Sequence, residues 1–156
     1  MPEMDSFSDN FYSMCAKPSR EVDVLIFEDD RYFNDLLAEK IRDLNRDQRV
    51  QVKGKLSVRQ VFDPETYFME PAAGRADHTI AFIDFYLGNG YTGASVSDRL
   101  LVQDSSIRIV LLSGSEDAIR YVGRLKLNSA LYTKLVKHEY TPEICCIIVE
   151  DFLQNL

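Results

Sequence analysis

The sequence predicts an α/β fold in which helices cover both faces of a doubly wound, five-stranded parallel sheet. Short apolar runs rich in β-branched residues alternate with segments whose apolar residues recur at helical spacing. Several of these runs stop abruptly at polar residues, as buried parallel strands do at the edge of a sheet. This alternation implies right-handed crossovers and a ligand crevice at the carboxyl ends of the strands.

The first predicted unit is a strand followed by an amphipathic helix. Val22–Phe27 is a short run of β-branched and aromatic residues that ends in the acids Glu28, Asp29 and Asp30. Asp30 is placed to cap the helix that follows. The apolar stripe of that helix consists of Phe33, Leu36, Leu37, Ile41 and Leu44.

Two further strands are predicted in the middle of the chain. Thr79–Ile83 ends in Asp84 and is followed by a Gly-rich loop and a helix at Ala94–Val102. Ile107–Leu112 ends at Ser113. The helix predicted after it has an apolar face consisting of Ala118, Tyr121, Val122 and Leu125.

The last predicted strand is Ala130–Thr133, which Lys134 closes. Thr141 and Pro142 then open a C-terminal helix in the favoured order of N-cap and first helical residue. Between the first unit and Asp84 the pattern is weaker. Val50–Lys53 is predicted as a strand, and the prolines and glycine within Ser57–His78 require any helix there to be short or interrupted.

The composition indicates one globular domain at residues 21–156 behind an N-terminal tail at residues 1–20. Apolar residues make up 46% of the 156 residues, and the formal net charge is -7, which argues against a nucleic-acid surface. The three cysteines form no CxxC pair, and no apolar run is long enough for a membrane span or a secretory signal. A cytoplasmic protein with free thiols is expected.

The strand ends define a candidate site. The carboxyl ends of parallel strands share one edge of the sheet, so Glu28 and Asp29, Asp84, Ser113 and Lys134 are expected to converge there. Clustered carboxylates form a hard oxygen site that suits Mg²⁺. A carboxylate beside such an ion can attack phosphorus, while a hydroxyl and an ammonium hold the remaining phosphoryl oxygens.

This order of residues resembles the response-regulator receiver domain, a flavodoxin-like (βα)5 fold. The resemblance rests on VLIFEDD, AFIDFYLGNG, IVLLSGSED and LYTKL, and it covers roughly residues 21 to 156. It implies that Asp84 is the phosphoacceptor and that Ser113 and Lys134 are the switching hydroxyl and the lysine of the family. It also implies that Mg²⁺ is held by Glu28, Asp29, Asp84 and the backbone carbonyl of Tyr86.

The chain departs from the family pattern at three positions. Leu135 follows Lys134 where the family usually has a proline with a cis peptide, so a trans or strained peptide and a repositioned final loop are expected. Leu131 stands where an aromatic switch residue is expected, three residues before the lysine. Tyr86 could overhang a phosphoryl group and hinder water, and the long segment containing Tyr67, Phe68 and Met69 could be a separate partner surface.

Three functions remain in competition. The leading hypothesis is a two-component phosphorylation switch, in which a histidine kinase or histidine phosphotransfer protein donates to Asp84 and a downstream protein is bound by contact. Such a switch would not be an enzyme beyond slow self-phosphorylation and autodephosphorylation, and a homodimer is left open. The alternatives are a degenerate receiver that binds proteins without phosphorylation and, ranked last, a Mg²⁺-dependent phosphohydrolase. The hydrolase would need an acid where Tyr86 stands.

Overall fold

Five parallel strands form one sheet in the order β2-β1-β3-β4-β5 in the computed structural model, which describes residues 20–70, 76–117, 120 and 132–156. This is the strand order of a flavodoxin-like sheet, so the predicted fold class is confirmed. In chain order the elements are β1 Glu21–Phe27, α1 Arg31–Asn45, α2 Gln48–Gln51, β2 Lys55–Val61, α3 Pro64–Met69, β3 His78–Asp84, α4 Gly93–Gln103, β4 Arg108–Ser113, β5 Tyr132–Val136 and α5 Thr141–Gln154.

The two faces of the sheet carry separate hydrophobic clusters. Alternate residues of each strand point to opposite faces, so Ile26 belongs to one cluster and its neighbour Phe27 to the other. Helices α1 and α5 cover the first face, where Leu37 and Val149 are fully buried. Helices α3 and α4 cover the second face. This double cover explains why the inner strands read as continuous apolar runs.

Helix α1 begins where the sequence predicts. Asp30 is its N-cap, and the Asp30 Oδ1 accepts a hydrogen bond of 3.3 Å from the backbone N–H of Phe33. Helix α4 begins with a capping box between Thr92 and Ser95, whose side chains each accept from the other's backbone N–H. These caps set the starting points of the two helices that follow β1 and β3.

Of the two predictions for the chain between α1 and β3, the structure contradicts one and confirms the other. The strand predicted at Val50–Lys53 is wrong: Val50 lies in the short helix α2, capped by Asp47, and the strand begins later, at Lys55. Alternation of exposed and buried residues in β2 weakens its apolar signal, because it is an edge strand. The prediction of a short helix within Ser57–His78 is confirmed by the six residues of α3.

Helix α3 carries the three apolar residues of the expected partner surface. The rings of Tyr67 and Phe68 pack against Phe27, at centroid distances of 5.1 and 6.2 Å. Of the three apolar residues singled out in this segment, Met69 is the exposed one. The aromatic pair therefore helps to close the second hydrophobic cluster, and because both rings are only half-buried a partner surface on this segment stays a prediction.

Several predictions fall outside the described residues. These are the N-terminal tail up to residue 19 and most of the helix expected after Ser113, including Ala118, Tyr121, Val122 and Leu125. Cys145 and Cys146 are free thiols on α5, and burial raises the pKa of both, that of Cys146 to about 11. Among the helices described, none combines the length and the apolar character needed to cross a membrane.

Candidate functional site

The carboxyl ends of β1 and β3 place three carboxylates together. The strands are direct neighbours, with Phe27 paired to Ile83, so the next residues, Glu28 and Asp84, emerge side by side. Asp29 follows at the same edge of the sheet, and one oxygen from each of the three carboxylates lies within 4.8 Å of the other two. The acidic cluster predicted from the strand ends is therefore present in the structure.

Burial sets the electrostatics of this cluster. Glu28 is only 2% exposed, and its burial raises the pKa of its carboxyl to about 7, against the lowering effect of a hydrogen bond from Lys137. Burial also raises the pKa of Asp84, with Lys137 again opposing the shift. Asp29 is exposed. Close, desolvated carboxyl groups of this kind gain from a cation placed between them.

The lysine beside the cluster is Lys137, and the predicted placement of Lys134 is wrong. The Lys137 ammonium donates to Glu28 Oε2 and lies 3.2 Å from Asp84 Oδ1. Burial disfavours its charge, but the hydrogen bond to Glu28 and the charge of Asp84 together outweigh burial and raise the pKa of Lys137. Lys134 is exposed and lies within β5, paired to Leu111.

The register of β5 explains this correction. The strand runs to Val136, which pairs with Ser113 at the end of β4, and the Lys137 N–H donates to the Ser113 carbonyl at 2.7 Å. Lys134 therefore sits three residues, about 10 Å of strand, before the site. The signal that could have found Lys137 is the apolar pair Leu135 and Val136, which continues the strand past the first lysine.

Ser113 stands where its strand position predicts. It is almost fully buried at the end of β4, one residue beyond Leu112, which pairs with Asp84. Its hydroxyl oxygen accepts a hydrogen bond of 3.1 Å from the backbone N–H of Ser115, which orients the side chain within the turn. Ser113 thus lies at the same edge of the sheet as the carboxylates.

The loop after β3 is a tight turn closed by its own backbone. Gly88, Asn89 and Gly90 have φ angles of 69°, 51° and 81°, a left-handed run that favours glycine and asparagine. Gly88 lies against Asp29, since a Cβ there would be 3.6 Å from Asp29 Oδ2. The loop returns the chain to Gly93, where α4 begins.

Tyr86 and Thr92 form an isolated bridge across this loop. The bonds flanking the bridge run from the N–H of Leu87 to Tyr91 and from the N–H of Gly93 to Phe85. Within the described residues, no backbone N–H donates to the Tyr86 carbonyl. The Tyr86 ring packs edge-on against Phe85 and remains 60% exposed.

The final loop is organised by hydrogen bonds at the residues after Lys137. The His138 N–H donates to Thr141 Oγ1 at 2.8 Å, and the Tyr140 N–H donates to His138 Nδ1 at 3.1 Å. Helix α5 begins at Thr141 with Tyr140 as its N-cap, so the prediction of Thr141 as N-cap is wrong by one residue. The peptide bonds in the described residues, Lys134–Leu135 included, are trans.

Because Lys137 rather than Lys134 is the lysine of the site, two positions that the family pattern defines relative to this lysine also change. His138, rather than Leu135, follows the lysine of the site where the family usually has a proline. Three residues before Lys137 stands Lys134, so an exposed cation rather than Leu131 takes the position expected for the aromatic residue.

The donor set fits a small divalent cation. Oxygens around an octahedral Mg²⁺ are about 3 Å apart when adjacent and about 4.2 Å apart when opposite, given the usual Mg–O distance. The carboxylate oxygens of Glu28, Asp29 and Asp84 lie within 4.8 Å of one another, so the three side chains face one space in which they could close around such an ion. The exposure of Asp29 leaves the approach open to solvent, which suits an ion that keeps part of its water shell.

Comparison with known proteins finds likeness in structure only. No protein-family pattern and no curated protein matches the sequence. The response regulator TrrA from Thermotoga maritima, solved with Mg²⁺-BeF, is 15% identical with a TM-score of 0.57, over 85% of this chain and 97% of that one. The BeF3-activated DrrB receiver domain is 18% identical with a TM-score of 0.60, over 87% and 98% of the two chains.

A response regulator from Colwellia psychrerythraea gives a similar result. It is 15% identical with a TM-score of 0.59, and the match covers 88% of this chain and 98% of that protein. At such identities the likeness concerns the fold, and the chain has the fold of response-regulator receiver domains.

Proposed function

We propose that this receiver-fold chain is a phosphoacceptor switch of a two-component or phosphorelay system, phosphorylated on Asp84 in a Mg²⁺-dependent reaction. The observation that supports it best is the cluster of Glu28, Asp29 and Asp84 with the Lys137 ammonium between two of its members. This arrangement combines a nucleophilic carboxylate, a cation site and a positive group for phosphoryl oxygens.

Each residue has a separate role in the proposed transfer. An Asp84 carboxylate oxygen forms a bond to phosphorus as the bond from phosphorus to the donor's imidazole nitrogen breaks, and the leaving imidazole takes up a proton. Lys137 and the Ser113 hydroxyl hold phosphoryl oxygens. Glu28, Asp29 and Asp84, with the Tyr86 carbonyl, would hold Mg²⁺, which supplies charge neutralisation at the transferring group.

The phosphodonor would be a histidine kinase or a histidine phosphotransfer protein. The new charge on Asp84 would draw Ser113 and the loops beside it toward the phosphoryl group, changing the surface that a downstream protein contacts. The output is then a protein contact rather than a reaction, apart from slow self-phosphorylation and autodephosphorylation. The proposed switch acts in the cytoplasm.

The test is the intact mass of the protein after incubation with Mg²⁺ and acetyl phosphate. Wild type should gain a single phosphoryl adduct, which chelation of Mg²⁺ should prevent. The adduct should be absent in Asp84→Asn and present in Asp98→Asn, which alters an exposed acid on α4. If wild type is folded but gains no adduct, the result would instead support the degenerate binding module. Lys134 and His138 would then be the departures from the family pattern that favour it.

A further inference from the structure

The Lys137 ammonium has a third neighbour that carries no charge. Its Nζ lies 4.6 Å from the ring centroid of Phe33, in addition to its contacts with Glu28 and Asp84. The lysine side chain is only 20% exposed, so little water competes for the ammonium. An ammonium over an aromatic face is attracted by the negative charge of the ring face, more strongly where water is excluded.

Phe33 is held in place by the start of α1. It is the third residue of that helix, and its backbone N–H donates to the side chain of the N-cap, Asp30. Its ring is half-buried and packs on the cluster between the sheet and helices α1 and α5. The same strand-to-helix turn that presents Glu28 and Asp29 therefore presents the ring.

The ring differs from the two carboxylates in what it can bind. Mg²⁺ takes oxygen ligands, so it would engage Glu28 and Asp84 and reduce the negative charge that holds the lysine. A phenyl face does not compete for Mg²⁺, yet it attracts an ammonium. The contact with Phe33 would therefore persist when the carboxylates are shared with a metal ion.

We propose that Phe33 is a positioning residue for Lys137, an inference that rests on the function proposed above. The face of its ring keeps the ammonium beside Asp84 while a divalent cation engages the Glu28 carboxylate. Phe33 touches neither the phosphoryl group nor the cation and acts through the lysine alone.

A double-mutant cycle tests whether the effect passes through the lysine. Phe33→Leu should slow phosphorylation of Asp84 by acetyl phosphate about threefold to tenfold, the range of a partly desolvated cation–π contact. Phe33→Tyr keeps an aromatic face and should stay near the wild-type rate. In a Lys137→Met background, Phe33→Leu should cause no further loss. An equal loss in both backgrounds would overturn the proposal.

Amine labelling gives a readout that does not depend on phosphorylation. The rate at which acetic anhydride modifies Lys137 is measured by peptide mass, relative to exposed Lys134 in β5, with and without Mg²⁺. Phe33→Leu should raise the ratio of Lys137 to Lys134 labelling about threefold or more, with the larger rise in Mg²⁺. Identical ratios in wild type and variant would contradict the proposal.

The two proposals can fail separately. If wild type takes up no phosphoryl group but labelling of Lys137 responds to Phe33→Leu, the switch function fails and the positioning role stands. If Phe33→Leu does not fold, trifluorophenylalanine at position 33 keeps the shape of the ring and weakens its face. That analogue should raise the rate of Lys137 labelling as well, and a rate equal to that of wild type would contradict the proposal.

Discussion

The Glu28 carboxyl is nearly inaccessible to water, yet it has an ammonium on one side and a second carboxyl close by. An ordinary buried acid in this position would be expected to bind a proton, and its pKa is indeed raised to about 7. Lys137 compensates part of the negative charge of Glu28 and Asp84. The remaining charge makes the cluster suited to a further cation rather than to a complete salt bridge.

At the residue scale, Lys137 and Lys134 are expected to behave differently. Lys137→Ala should slow phosphorylation of Asp84 by acetyl phosphate about 10- to 100-fold, because it removes a positive group aimed at the developing charge. Lys134→Ala should stay within about twofold of wild type, since its side chain is exposed and lies in the middle of β5. The adduct is followed by intact mass over time, and a larger loss from Lys134→Ala would contradict the assignment.

Tyr86 provides a second prediction at this scale. Its exposed side chain follows Asp84 by two residues, and the prediction is that it shields an aspartyl phosphate from water. Tyr86→Asn should speed loss of the phosphoryl group about threefold to tenfold. Tyr140→Asn, which alters a similarly exposed tyrosine in the final loop, serves as the control. Unchanged dephosphorylation in Tyr86→Asn would remove the shielding role.

At the scale of elements, the start of α4 is packed tightly against the end of β3. A Cβ on Gly93 would lie 2.8 Å from the Asp84 carbonyl oxygen and 3.0 Å from both Phe85 Cα and Leu111 Cδ2. Two of these three atoms are backbone, which cannot move aside as a side chain does. The glycine is therefore what allows helix and strand to meet at the proposed phosphoacceptor.

Gly93→Ala should lower the free energy of unfolding by about 1–3 kcal/mol, as overpacking does elsewhere. Gly114→Ala is the matched control, because a Cβ there would meet nothing within 4 Å. The control should remain within about 0.5 kcal/mol of wild type. Urea unfolding followed by circular dichroism measures both, and equal stabilities would show that the contact at Gly93 is relieved by small backbone shifts.

Helix α1 is tied to β1 and β2 by a fully buried polar side chain. Asn34 donates through Nδ2 to the Glu28 carbonyl at 2.8 Å, and its Oδ1 accepts from Gln60 Nε2 at 3.1 Å. The buried face of α1 includes this asparagine, whose side chain supplies a donor to the backbone carbonyl of Glu28 just past β1.

At the scale of the whole molecule, cation binding and stability should be linked. A ligand that binds the folded chain alone raises the free energy of unfolding, by about 1.4 kcal/mol at ten times its dissociation constant. Mg²⁺ should therefore raise the thermal unfolding midpoint at constant ionic strength. Asp29→Asn should abolish the rise, and because Asp29 is exposed its loss leaves no buried group unpaired.

Asp98→Asn is the control for this experiment and should retain the Mg²⁺-dependent rise. Thermal scans in MgCl2 and in NaCl of matched ionic strength separate specific binding from screening. A rise that persists undiminished in Asp29→Asn would place the cation elsewhere.

The sequence alone determined three of the strands, the α/β class and the acidic strand ends, because these depend on local signals. The apolar runs of β1, β3 and β4 and their polar ends at Glu28, Asp84 and Ser113 are readable without knowledge of neighbours. Asp30 as a helix cap is equally local. These parts of the fold and of the candidate site were predictable.

Tertiary structure decided which lysine reaches the carboxylates and what surrounds it. Lys134 and Lys137 are chemically alike, and only pairing of β5 with β4 sets which one passes the edge of the sheet. The start of β2 and the contact of Phe33 with Lys137 likewise depend on residues far apart in sequence. Register and side-chain contact are properties of the assembled sheet, so a single strand or helix pattern does not contain them.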